Sequence, residues 1–218
     1  MTQIEKYIQH LDIQQLTDLQ YDTIEHAFDK ANQLILSATG SGKTLAFLLP
    51  LALKIEDKKE EIQALIIVPT RELALQIEDV FKKLRTNHKV LTCYGGHSFK
   101  TEQKSFSNLP TVLIGTPGRI CDHMLRSGLD ISTVKHLVID EYDKCLEFGF
   151  EDQMKFILDD VRLNSTTLSS ATPLQKTPSI ISFEDPLVFD YLDEASAPDL
   201  TYFEIKTSEN KMQFIADL

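Results

Sequence analysis

A chain of 218 residues, 42% hydrophobic and 25% charged, is long enough for one large domain or for one domain and part of another, and its composition is that of an ordinary globular protein. No apolar run approaches the roughly 20 residues that a membrane-spanning helix needs, and the opening residues Met1 to Lys6 lack a signal-peptide pattern. A net charge of −11 argues against a broad basic surface for nucleic acid, yet leaves room for narrow contacts through backbone amides, helix N-termini and a few arginines.

The first expected strand, residues 33–36, runs into Ser37-Ala38-Thr39-Gly40-Ser41-Gly42-Lys43-Thr44, after which a helix should begin. Gly40 and Gly42 permit backbone turns that aim successive N–H groups at one point, and the helix N-terminus adds partial positive charge there. Lys43 can reach the β- and γ-phosphates of a nucleotide, and the Thr44 hydroxyl can ligate Mg²⁺. Ser37 stands where the general pattern has Gly or Ala, and is small enough to fit. Further short apolar strands are expected at 64–68, 90–94 and 112–115. They lead into Pro69-Thr70-Arg71, into Gly95-Gly96 and into Thr116-Pro117-Gly118-Arg119, the last with Thr116 as an N-cap and Pro117 in the first helical turn. Apolar residues at 73, 74, 77, 80, 81 and 84 predict a helix over 71–84.

Leu137-Val138-Ile139 then places Asp140 at the C-terminal end of a buried strand, where open α/β sheets bind ligands. Asp140 would hold Mg²⁺ through water, and Glu141 would orient or deprotonate an attacking water. An acidic turn capping the next helix is the bland alternative; the phosphate cradle upstream argues against it. The two strand ends, at Ser37 and Asp140, are expected to adjoin. A helix is predicted over 151–161, a strand over 166–169 followed by Ser170-Ala171-Thr172, and a last strand over 187–190. Strands alternating with helices imply a parallel sheet covered on both faces. Residues 193–199 are acidic and small, as in a linker; 200–206 could form another strand, and 211–218 opens an amphipathic helix. The expected division is therefore a domain over 1–192, with 193–218 a linker and the truncated start of a second one. Cys93, Cys121 and Cys145 have no metal-ligand spacing and read as reduced, mostly buried thiols of a cytoplasmic protein.

In this order the motifs resemble the first RecA-like domain of a DEAD-box ATP-dependent RNA helicase, over about residues 10–192. Phosphate cradles are common to many NTPases; Pro69-Thr70-Arg71-Glu72-Leu73-Ala74 and Thr116-Pro117-Gly118-Arg119 are far more specific, and Phe148-Gly149-Phe150 is also family-like. The resemblance implies an α/β, RecA-like P-loop NTPase fold with a mostly parallel central sheet and helices on both faces. It implies ATP and Mg²⁺ as cofactors, Lys43, Asp140 and Glu141 as catalytic residues, and Thr44 and Asp140 as metal ligands. The segments Pro69-Thr70-Arg71, Gly95-Gly96 and Thr116-Pro117-Gly118-Arg119 would line a groove for single-stranded RNA, bonding phosphates without reading bases. Arg119 has an internal salt bridge as its alternative. Ser170-Ala171-Thr172, bonded to the Asp143 region, would couple nucleotide state to RNA. Gln20 would read adenine, its amide donating and accepting at once; its alternative is an ordinary solvent-facing glutamine.

The chain departs from the family pattern in two regions, around Gln20 and at Tyr142. Leu16 stands where Pro is usual and Leu19 where Ile is, and the aromatic residue expected upstream has no clear counterpart. Tyr142 replaces alanine in Asp140-Glu141-Tyr142-Asp143; it either packs beneath the sheet end or alters the contact between Asp143 and residues 170–172. Nothing after residue 200 is long enough to supply the transition-state arginines of a second RecA-like domain, so this chain, expected to be a monomer, should hydrolyse ATP poorly and unwind nothing alone. A DNA translocase domain and a catalytically silent interaction module are the rival readings. The Pro69–Ala74 motif argues against the first, and the intact Lys43, Thr44, Asp140 and Glu141 against the second.

Overall fold

The computed structural model describes residues 2–11, 13, 15–57, 61–159, 161–174 and 180–193. The linker beyond Asp193, the strand expected at 200–206 and the helix expected at 211–218 lie outside these residues.

All seven expected strands form, within one sheet. They are β1 (Asn32–Ser37), β2 (Ala64–Ile67), β3 (Val90–Cys93), β4 (Val112–Gly115), β5 (His136–Ile139), β6 (Ser165–Ser170) and β7 (Leu187–Tyr191), in the order β3-β4-β2-β5-β6-β1-β7. Every pairing among the described residues is parallel. The C-terminal ends of all the strands, and the loops that follow them, therefore emerge along one edge.

Side chains alternate across the sheet with period two, and each face has its own core. Ile35, Ile66, Ile114 and Val138 pack against α1 (Gln3–Ile8), α2 (Asp18–Glu25), α3 (Lys43–Lys54) and α4 (Arg71–Lys83). Leu36, Leu65, Leu113 and Leu137 pack against α6 (Pro117–Ser127), α7 (Tyr142–Glu147) and α8 (Glu151–Leu158). The remaining helix, α5 (Phe99–Ser105), follows β3.

Two helices show why these residues fold as they do. In α4, the Thr70 hydroxyl accepts the Leu73 N–H at 3.2 Å, and Ala74, Ile77 and Phe81 recur at helical spacing on the buried face. Helix α3 is apolar nearly all round and lies buried from Ala46 to Ala52. Its internal Pro50 removes one intrahelical N–H, a loss that burial of so many side chains outweighs. The N-terminal segment is firmly seated: the departures Leu16 and Leu19 are 7% and 3% exposed, both in the core. Tyr7, on α1, is the buried aromatic of this segment. The Tyr191 hydroxyl donates to the Asp22 carboxylate, tying α2 to β7.

Candidate functional site

Ser37 ends β1, and the loop from Ala38 to Gly42 turns the chain into α3. Gly40 and Gly42 have φ of 83° and 91°, the left-handed region in which a side chain is strained. Gly42 is the N-cap of α3 and offers no side chain to the first turn. Among the described residues, the N–H groups of Thr39, Gly40, Gly42, Lys43 and Thr44 find no acceptor. The Ser41 hydroxyl is likewise buried without a partner. Lys43 folds back over this loop, its ammonium donating to the carbonyls of Ser37 at 2.5 Å and Ala38 at 2.8 Å. Burial pulls the Lys43 pKa down, opposed by the charges of Asp140, Glu141 and Asp143. A loop with five open amides, an orphaned hydroxyl and an ammonium parked on carbonyls is built for an anion of several oxygens.

Gln20 sits beside this loop, 4% exposed. Its side-chain oxygen accepts the Thr17 N–H at 3.0 Å in a capping box, and its nitrogen donates to the Gly42 carbonyl at 3.1 Å. The solvent-facing alternative is thus ruled out, and one donor and one lone pair of the amide remain for a ligand. A methyl group on Gly42 would stand 2.5 Å from the Gln20 nitrogen and would displace that amide from its bond to the Gly42 carbonyl.

The acidic side is arranged differently from expectation. The ends of β1 and β5 do not adjoin; β6 lies between them. The wall between the cradle and Asp140 is therefore β6, a wholly buried strand in which five of six residues carry hydroxyls. From it, the Ser169 hydroxyl donates to the Asp140 carboxylate. Asp140 is 3% exposed, and burial raises its pKa to about 6 in spite of that bond. Glu141 follows in a left-handed conformation, φ 49°, with its N–H donating to Asp140 Oδ1 and Ser169 Oγ. Such a conformation in a non-glycine residue is costly and is characteristic of functional sites. Thr172 Oγ1 donates to Asp143 Oδ2 at 3.0 Å, and the other Asp143 oxygen is buried without a partner. Tyr142 packs into the apolar core at 2% exposure, and its hydroxyl is pushed up to about 12 by burial. It lies beneath the sheet end and leaves the Asp143–Thr172 bond in place.

The other three motifs gather at the ends of β3, β4 and β2, which are consecutive in the sheet. Pro69 is buried and Thr70 caps α4. Arg71 is exposed, its guanidinium 5.1 Å from the centre of the Tyr94 ring and beside Gly96. Gly95 and Gly96 are exposed, and neither N–H has an acceptor among the described residues. Thr116 holds the N-cap position of α6 without a side-chain cap bond, and Pro117 is at the first helical position. Thr116 N–H donates to the Cys93 carbonyl and Arg119 N–H to the Thr116 carbonyl, which leaves Gly118 as the open amide. Arg119 adopts its alternative role: Nε donates to Glu102 at 2.7 Å and Nη2 to the His97 carbonyl at 2.8 Å.

Sequence reasoning passed over Ser169, Glu102 and Gly115. The signal for Ser169 was the run of hydroxyls in a strand buried on both faces. Gly115 was taken merely as a strand end, yet a methyl there would meet Cys93 Sγ at 2.7 Å, the Cys93 carbonyl at 2.8 Å and Ile120 at 2.9 Å. Glu102 had no signal, because its closest partners, His123 and Arg119, stand 21 and 17 residues away.

The family model of the DEAD/DEAH box helicases matches residues 17–180. The chain is 33% identical over 210 residues to the DEAD-box ATP-dependent RNA helicase CshA of Bacillus cereus, covering 94% of this chain and 40% of that protein. It is 35% identical over 214 residues to the ATP-dependent RNA helicase CshA of Listeria monocytogenes, covering 95% and 41%. The chain thus spans about 40% of the length of these curated relatives. Among solved structures, a DEAD box protein from Methanococcus jannaschii superposes with a TM-score of 0.73 at 33% identity, covering 80% of this chain and 49% of that one. The DEAD-box helicase Mss116 bound to ssRNA and UDP-BeF superposes with a TM-score of 0.76 at 30% identity, covering 87% and 43%.

Proposed function

This chain belongs to the DEAD/DEAH box helicase family, and from that premise we propose that it is the N-terminal, nucleotide-binding RecA-like part of an ATP-dependent RNA helicase. The observation that carries the reading is the division of one sheet edge. The ends of β5, β6 and β1 carry the acidic residues, Ser169 and the open cradle, while the ends of β3 and β4 carry loops with open glycine amides and the end of β2 carries Thr70 and Arg71. An ATP phosphate chain fits the first half and a sugar–phosphate backbone the second.

In this reading Lys43 exchanges its two carbonyl partners for phosphate oxygens, and the amides of Thr39, Gly40, Gly42, Lys43 and Thr44 close around the phosphates. Thr44 and Asp140 would hold Mg²⁺, which neutralises charge on the phosphate oxygens when bound. Glu141, placed next to Asp140 by its left-handed backbone, orients the attacking water. Gln20 uses its remaining donor and acceptor on the adenine edge while still bonded to Gly42, so base and phosphate recognition move together. The Thr172–Asp143 bond joins the acidic loop to the end of β6 and links nucleotide state to the position of residues 170–172. RNA is held without base contacts by the amides of Gly95, Gly96 and Gly118, the hydroxyls of Thr70 and Thr116, and Arg71. In the complete protein, closure of a second RecA-like domain over ATP and single-stranded RNA opens a short duplex locally.

Calorimetry with ADP and ATP, with and without Mg²⁺, tests the premise. Uptake should require Mg²⁺, and Lys43→Ala should weaken it by about tenfold or more, since the ammonium makes charge-assisted bonds. No Mg²⁺-dependent uptake by folded protein at millimolar nucleotide would end this reading.

A further inference from the structure

A buried carboxylate outside the nucleotide half lies beneath the two glycine-bearing loops. Glu102, on α5, is 3% exposed. A buried carboxylate is costly unless donors surround it, and here four do. His123 Nε2 lies 2.6 Å from it, Arg119 Nε 2.7 Å, His97 Nδ1 3.2 Å and the Tyr94 N–H nitrogen 3.3 Å. Burial pushes the Glu102 carboxyl up, but the bonds from His123, Arg119 and Tyr94 outweigh it and hold the group ionised below its ordinary range.

The origin of these donors matters more than their number. Tyr94 precedes the Gly95-Gly96 turn and His97 follows it, whereas Arg119 and His123 belong to α6. One carboxylate therefore grips both loops. Arg119 doubles the tie by donating to the His97 carbonyl, and Phe99 stacks on the His123 ring at 4.4 Å while lying 5.1 Å from the Arg119 guanidinium. With Nε and Nη2 hydrogen-bonded, Nη1 3.9 Å from Asp122 and its side chain 11% exposed, Arg119 is a strut. Arg71 is left as the guanidinium that faces solvent at this edge.

We infer that Glu102 is a positioning residue for RNA: it locks the Gly95-Gly96 turn to the start of α6, so that the open amides of Gly95, Gly96 and Gly118 form one surface for consecutive phosphates. This rests on the RNA reading given above. Without Glu102 the two loops keep the Thr116 N–H bond to the Cys93 carbonyl and the Arg119 bond to the His97 carbonyl, but lose the carboxylate that fixes Arg119, His123, His97 and the Tyr94 N–H about one point.

The test compares Glu102→Ala with Glu102→Gln in the same chain. Glutamine keeps an acceptor for Arg119, and His123 can accept from its amide by changing tautomer. Affinity for a fluorescent oligouridylate is read beside Mg-ADP affinity and the amide NMR signals of Gly95, Gly96 and Gly118. Expected is a loss of about tenfold in RNA affinity for Glu102→Ala, a return to within about threefold for Glu102→Gln, and unchanged Mg-ADP affinity in both. A folded Glu102→Ala chain that binds RNA like wild type overturns the inference, as does a parallel loss of nucleotide and RNA affinity, which would mark a general structural role. If Glu102→Ala does not fold, Glu102→Asp, which withdraws the oxygens by one methylene, takes its place in each comparison. If wild-type protein binds no RNA, the RNA reading falls and the glycine signals decide: displaced by the disruptive variant and restored by Gln they uphold the lock, and undisplaced they refute it.

Discussion

Asp140 shows what burial costs a carboxylate. Burial lifts its carboxyl from an ordinary 3.8 to about 6, and the Ser169 hydroxyl offsets only part of that. A carboxyl whose folded pKa lies above its unfolded one supports the fold while protonated, at low pH, and loses that support as pH rises through about 6. Ionised Asp140 thus costs up to about 3 kcal/mol at neutral pH, at about 1.4 kcal/mol per unit. Asp140→Asn, neutral throughout and still able to accept from Ser169, should raise unfolding stability in metal-free buffer at pH 7.5, and the gain should shrink as pH falls through about 6 and vanish below about 3.8. Chemical denaturation across that range checks it; a gain independent of pH would show that charge is not the cause. Asp140 itself was legible from its place after an apolar strand. Its energetics were not, because Ser169 comes from a strand 29 positions away whose neighbours in the sheet are set by topology. Tyr142 makes the same point: alternatives that were equal on paper are separated once the ring is seen in the core beside Cys145 and Met154.

At the scale of elements, the strands and their caps were readable to within a residue or two. Periodicity marked the helix at 71–84, found as Arg71–Lys83, and Thr70 caps it as its hydroxyl allows. The helix expected over 151–161 stops at Leu158. How closely elements approach was not readable. At Gly115 the end of β4 lies against the Cys93 carbonyl of β3 and against Ile120 of α6, with no room for a methyl group. Gly115→Ala must push apart the strand end and helix start that carry Thr116 and Gly118. It should destabilise the chain by about 1–3 kcal/mol, the usual cost of overpacking, and lower its melting temperature. It should also shift the Gly118 amide signal more than those of the cradle glycines 40 and 42. Unchanged melting would mean that β3 and β4 separate freely, against the close contact seen here.

For the whole molecule, the consequential fact is the strand order. It brings Ser37, Asp140 and Ser170 to one half of an edge and Thr70, Gly95 and Thr116 to the other, with β2 and β5 paired at the boundary. Among the described residues, Arg71 and Arg119 stand in the second half, away from the cradle. The chain should therefore turn over ATP slowly. Supplying the second RecA-like domain, as a longer chain, should raise RNA-stimulated turnover by about a thousandfold or more, the usual worth of a transition-state arginine. A steady-state ATPase assay of both chains checks this, and equal turnover would show that the second domain is dispensable. Local patterns determined the seven strands, the cradle, the acidic turn and the family, because apolar periodicity, glycine conformation and capping act over a few residues. Tertiary structure decided what requires distant residues to meet: β6 between cradle and acid, Gln20 on Gly42, Tyr142 in the core, and Arg119 bound to Glu102 as a strut. The physical reason is that burial and hydrogen-bond partnership, which set charge and position, belong to the packed neighbourhood, and a neighbourhood exists only after the chain has crossed over the sheet.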